Sequence, residues 1–233
     1  MADPPAPRYA PPIAPSAPNG RPRMDGFATT DDPRHASPSD SPFADDGTPA
    51  PERMSFEAFP HFCEARPDGE RWELWDGRAK RTNPASSFHQ SVAGRMVARL
   101  EDHFEARELS FTALQEVGLR LDGDEASGFV PHFVVLPADA PNRTHHERFM
   151  LAAEVMSPSD TQVEIAAKVT RYASHPDCLY VPVPEQDAPL VRLRARSEGF
   201  VEREIAGADG VLDLPAFGFS VALADIYRRV PRA

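Results

Sequence analysis

The chain has 233 residues and a formal net charge of -11 at pH 7, with 26 prolines and two cysteines. That length holds one fair-sized domain with a tail, and the acidic balance argues against a nucleic-acid binder that relies on a broad basic face, while leaving room for a local basic channel. Two cysteines, no secretory leader and no apolar run of about 18 residues point away from secretion and membrane spanning and towards a reduced cytoplasmic setting; two thiols are also too few for a structural zinc site.

Half of the 26 prolines precede Arg53, in a stretch with few aliphatic residues and no apolar period. Such a segment cannot bury enough surface to offset its ordering entropy, so residues 1–52 read as a disordered, proline-rich tail of polyproline II character. The patterned sequence occupies residues 53–230, and translation could start at Met1, Met24 or Met54.

Phe56, Phe59 and Phe62 predict a short helix, limited by Pro60. In ERWELWDGRAKRTNP, Asp76-Gly77 is the dipeptide of a tight hairpin, because both residues tolerate positive φ. Glu73 lies inside that hairpin, facing away from Trp72 and Leu74, and on its own reads as a solvent-facing strand residue. A helix is expected from Ser87 to about Arg107, with Val92, Met96, Leu100 and Phe104 recurring every four residues. His89 in its first turn reads as a local hydrogen-bonding residue. Arg71, Arg78, Arg81, Arg95 and Arg99 fall in the first half of the domain and could form a basic strip or simply keep a surface solvated.

Strands are expected over Phe111–Leu121 and Phe129–Leu136, followed by a polar loop from Pro137 to His146 in which His145 and His146 are solvated. Phe149 to Met156 is a nearly continuous apolar run, as in a strand covered on both faces, interrupted only by Glu154. A buried carboxylate needs a partner, a hydrogen bond or a metal; it could also cap the next helix or meet an arginine. Ser159 and Gln162 have the form of a capping box, so a helix should begin near Asp160, with Ile165, Val169 and Tyr172 on its buried face. Lys168 at the edge of that face can bend its ammonium back over Glu154, or pair in solvent with Glu164 one turn earlier. Leu179–Val183 predicts a strand that Pro182 and Pro184 push towards an edge. Leu190–Ala195 and Phe200–Ile205 form a hairpin, and the chain closes on a last turn and a short helix. This order implies an α/β sandwich with a mixed sheet.

Several motifs together, MSFEAF, ERWELWDG, SSFHQSVAGRMVARL, VPHFVVLPAD, LAAEVMSPSD and LPAFGFSVALADIY, make the span from Met54 to Val230 resemble the Uma-type restriction endonuclease family of the PD-(D/E)XK nuclease superfamily. The resemblance implies a restriction-endonuclease-like core, a mixed β-sheet flanked by helices, and metal-dependent hydrolysis of phosphodiester bonds, DNA in the first instance. It implies Mg2+, or Mn2+, as the cofactor, and a homodimer as a family habit. Carried over by residue, Glu154 is the metal-binding acid, Lys168 the lysine moved from the strand position of Met156 onto the helix, and Glu73 the acid of the first hairpin. Where the family pattern has Pro-Asp, this chain has Pro131-His132. His132 brings one neutral nitrogen to a hard, oxygen-seeking cation, so magnesium binding is expected to weaken while manganese or zinc could accept the ring. The family's aromatic run ending in Val-Asp-Pro is likewise replaced by CLYVPVPEQ. The competing expectation is a non-catalytic module of the same fold that binds nucleic acid or a protein, with the proline-rich tail recruiting a partner. An unrelated acidic interaction domain is the third.

Overall fold

The structure, a computed structural model, describes residues 53–121, 127–157 and 161–228. The tail expected over residues 1–52 lies outside them. Helix α1 (Phe59–Glu64) precedes a hairpin of β1 (Arg71–Trp75) and β2 (Arg78–Thr82), turned by Asp76 at φ 47 and Gly77 at φ 80. Both angles lie in the left-handed region, as a primed turn demands. Helix α2 (Ser87–Ala106) follows, its first turn capped by Ser86 Oγ accepting from the His89 amide.

Two of the strands expected from the sequence are each divided in two. The Phe111–Leu121 stretch becomes β3 (Phe111–Gln115) and β4 (Gly118–Arg120), broken at Glu116 with φ 54; the next becomes β5 (Gly128–Phe129) and β6 (Phe133–Pro137), broken around Pro131. Each break moves the chain between sheets. The remaining elements are β7 (His145–His146), β8 (Leu151–Ala153), α3 (Gln162–Ser174), β9 (Tyr180–Pro184), β10 (Leu190–Ala195), β11 (Glu202–Ala206), β12 (Val211–Leu214), β13 (Phe219–Ala222) and α4 (Leu223–Ile226). They form a five-stranded sheet in the order β2-β1-β5-β4-β7, a six-stranded sheet in the order β11-β10-β9-β8-β6-β3, and the hairpin β12-β13. This is the mixed α/β architecture flanked by helices that the sequence implied.

One face of the six-stranded sheet packs on α2 and the β12-β13 hairpin. Phe133, Val135, Leu151, Ala153 and Val155 join Val92, Met96, Leu100, Leu212 and Phe219 in one buried cluster. The alternate residues therefore point to the opposite face, where α3 and the β1-β2 hairpin lie. Alternation thus decides where the polar groups of β6 and β8 go.

Four expectations need correction. Helix α3 begins at Gln162 and is capped by Thr161, whose hydroxyl accepts from the Glu164 amide; Thr161 takes the cap because it directly precedes the helical residues, and Ser159 lies outside the described residues. His145 and His146 are not a solvated loop but pair in parallel with Gly118 and Leu119, and His146 is buried. β9 is an interior strand, flanked by β8 and β10. Its prolines are tolerated because they face the β8 side, as Pro184 does in accepting from the Met156 amide, and there the ladder is reduced to Leu151–Tyr180 and a Met156–Glu185 bridge. Glu73, read as solvent-facing, is buried, because α3 covers the second face of the first hairpin.

The close pairing of β4 with β7 leaves no room for a side chain at position 118, where an added Cβ would meet the His145 ring and lie 2.7 Å from the Thr144 carbonyl oxygen. Gly118→Ala is expected to destabilise the protein by about 1–3 kcal/mol, read as a shift of the urea midpoint.

Candidate active site

The antiparallel register of β6 and β8 pairs Phe133 with Ala153. One step beyond the ladder it brings His132 opposite Glu154; the carboxylate lies on the face turned away from α2, while the His132 ring reaches the first turn of α2 at His89. The His132 Nδ1 lies 2.9 Å from Glu154 Oε2. On the same side α3 presents Lys168 and Tyr172, one turn apart, and the hairpin presents Glu73 from β1. All four residues singled out in the sequence, Glu73, His132, Glu154 and Lys168, therefore meet in one cluster.

Lys168 is its centre. Its ammonium lies 2.7 Å from Glu73 Oε1 and 3.2 Å from Glu154 Oε1, so one cation bridges two buried carboxylates. Glu73 Oε1 also accepts from the Val130 amide at 3.0 Å, and Glu73 Oε2 accepts from the Trp75 indole N–H at 3.1 Å. Glu154 Oε1 accepts from the Tyr172 hydroxyl at 2.7 Å. Glu164, the alternative partner for Lys168, pairs instead with Lys80 of β2.

Burial alone would push the Glu154 carboxyl up, but attraction from the Lys168 ammonium and the hydrogen bond from the Tyr172 hydroxyl hold it well below its ordinary value. For Lys168, burial works against the charge, and the two facing carboxylates override it, raising the ammonium above its ordinary value. Burial first, and then the Glu154 charge, push the Tyr172 hydroxyl well up, so it stays a neutral donor.

The imidazole is pulled two ways. The Val155 amide donates to His132 Nδ1 at 2.8 Å, and the same nitrogen is the one beside Glu154 Oε2. Nδ1 cannot accept the first and donate to the second. The amide proton is fixed by the backbone, so we assign Nδ1 as its acceptor, which leaves Glu154 Oε2 buried without a donor. The His132 ring rests edge-on against that of His89, centroids 3.9 Å apart.

The expected divalent ion does not fit this arrangement. Magnesium asks for an octahedral set of oxygens, whereas here both Glu73 oxygens and Glu154 Oε1 already hold donors and the position between the acids is filled by the Lys168 ammonium. A single free oxygen, Glu154 Oε2, beside an engaged ring nitrogen is far short of such a set. Among the described residues no group of three or more His, Cys, Asp or Glu side chains is arranged to hold a metal.

Three contributors are not marked out by the sequence: Tyr172 reads as part of the apolar face of α3, His89 as a local hydrogen-bonding residue, and Trp75 carries no signal of its own; each touches the cluster. The signal for Tyr172 was its spacing of four from Lys168, which puts both on one face.

Matching to protein-family models places residues 56–224 in the family named Uma2, described as "Putative restriction endonuclease". Among solved structures, a protein from Anabaena variabilis described as "a putative nuclease belonging to DUF820" superposes with a TM-score of 0.64 at 12% identity, covering 76% of this chain and 99% of its own. At that identity the likeness is one of fold. No curated protein matches the chain. Among the described residues no helix is long and apolar enough to cross a membrane. The family match spans most of the chain and includes every residue of the buried cluster, and on that ground the chain belongs to the Uma2 family.

Proposed function

We propose that the protein is a nuclease of this family with a departed active site: it engages nucleic acid, DNA in the first instance, and hydrolyses phosphodiester bonds at most weakly. The observation that carries the reading is the Lys168 ammonium set between Glu73 and Glu154, with His132 where the family pattern has aspartate. The convergence of all four family positions on one cluster supports descent from a working hydrolytic site. The lysine bridge and the missing carboxylate support its loss of affinity for magnesium and for manganese, both of which favour oxygen ligands.

The test is cleavage of supercoiled plasmid and of single-stranded DNA by the full chain with magnesium, manganese or EDTA, beside Glu154→Ala as a contamination control. The expected result is binding to DNA with cleavage at least about 100-fold slower than that of His132→Asp, a range typical of losing one catalytic group. Metal-dependent cleavage as fast in the unaltered chain as in His132→Asp, and abolished in Glu154→Ala, would sink the claim of a departed site. A second reading, a module that binds without cutting, is favoured by the three donors that already engage both oxygens of Glu73. It predicts that His132→Asp stays inactive as well.

A further inference from the structure

A groove of about 250 Å3 lies between the open end of the β1-β2 hairpin and the first turn of α2, with Glu70, Arg71, Arg81, Thr82 and Gln90 on its walls. Each of its two arginines faces an acid. Arg71 pairs with Glu116, and the Arg81 guanidinium lies 3.6 Å from Glu70 Oε1. The cations are the exposed partners: Arg71 and Arg81 side chains are 52% and 63% exposed, against 26% for Glu116 and 20% for Glu70. Glu116 therefore fixes the Arg71 guanidinium, while Arg81 keeps a looser ion pair with Glu70 and stays largely in solvent. A planar, pre-oriented fork suits the paired oxygens of a phosphate.

The groove is also joined to the buried cluster. Gln90 donates to Glu116 Oε1 at 2.7 Å, and the Glu116 amide donates to the His132 carbonyl at 3.3 Å. His89, beside Gln90 on α2, packs its ring on that of His132. Hydrogen bonding to Arg71 holds the Glu116 carboxyl below its ordinary value, so the anchor stays charged at neutral pH. On a chain of net charge -11, a polyanion needs such a local cation pair to approach.

We propose that this groove takes a phosphodiester of a nucleic-acid strand, with Arg71 and Arg81 as its phosphate contacts and Gln90 and Thr82 as neutral hydrogen-bonding groups, and leads that strand to the solvent-facing side of His132. The inference rests on the reading that the protein engages nucleic acid, and it adds where the strand lies.

The test is fluorescence anisotropy of the full chain with a labelled single-stranded oligonucleotide and with its duplex, without divalent metal, across a salt series. The Arg71→Gln/Arg81→Gln double variant is expected to bind at least tenfold more weakly. On the single strand its salt dependence should be shallower by roughly 0.7 in slope for each phosphate that is no longer neutralised. Arg81→Gln alone, at the more exposed site, should show about half of that change and guards against misfolding from the broken Arg71–Glu116 pair. A control double variant with the same charge loss, Arg99→Gln/Arg228→Gln in the cavity between α2 and α4, should bind within twofold of the unaltered chain. Binding by the unaltered chain that the groove variants leave unchanged, or that the control weakens equally, overturns the groove and leaves the nucleic-acid reading standing. No binding of either nucleic acid at low salt overturns both.

Discussion

Lys168→Met is expected to cost about 3–5 kcal/mol of folding stability at pH 7.5, read from urea unfolding, because it leaves Glu73 and Glu154 facing each other in a buried site with no cation between them. The loss has a pH signature. In the unaltered protein the Glu154 carboxyl is held at about 2, below the ordinary 4.5, so its stabilising contribution is present above pH ~4.5 and is lost as pH falls towards 2. In the variant burial and the neighbouring carboxylate push the Glu154 pKa up, and with the ammonium gone the Tyr172 hydrogen bond alone no longer holds it as low as in the unaltered protein. A group with a raised folded-state pKa favours folding at low pH and loses that advantage as pH rises. The stability gap between the two proteins must therefore widen from pH 4 to pH 7.5, while groups common to both cancel. A gap that stays constant, or narrows, would show that Lys168 contributes by packing its methylenes rather than by bridging charge.

His132→Asp is the second large expected effect. It supplies a carboxylate opposite Glu154 in place of the ring that accepts from the Val155 amide, and restores a donor type that hard cations prefer. Without metal the variant should be less stable than the unaltered chain by about 1–3 kcal/mol, since two like charges then share one side of the cluster. With manganese it should recover: a ligand bound only by the folded state adds about 2.7 kcal/mol at a hundred times its Kd. The unaltered chain should show no such manganese-dependent rise in Tm. Equal shifts in both proteins would mean that the ring is a sufficient ligand and that Lys168 yields to the ion. Cleavage in the variant is expected to rise about 100-fold or more, and the thermal shift reports metal binding even where cleavage fails to return.

Local pattern made much of the fold legible. The four-residue recurrence of Val92, Met96, Leu100 and Phe104 located α2, and Asp76-Gly77 located the first hairpin, because each is decided by neighbours in sequence. The site was legible in part. Glu154 stood out as a lone acid in an apolar run and Lys168 as a cation at the rim of an apolar face, and the two do pair. What local pattern could not supply was the second layer. Glu73 looks solvent-facing until α3 is placed over it, and the breaks at Glu116 and Pro131 are visible only once two separate sheets compete for the same stretches of chain. The prolines of β9 misled for the same reason. A proline excludes a strand from a ladder on one side only, and sequence does not say which side is already open.

The tie between Lys168 and Glu73 joins positions 95 residues apart in the chain. Making that contact early would carry the loop-closure entropy of a large part of the polypeptide, and it is offset only once hairpin, helices and central strands already hold the two ends near each other. The buried charges are therefore expected to leave water late in folding, after the elements that cover them exist. In that order each carboxylate would stay hydrated until its ammonium arrives, and neither would be stranded in an apolar, half-formed interior.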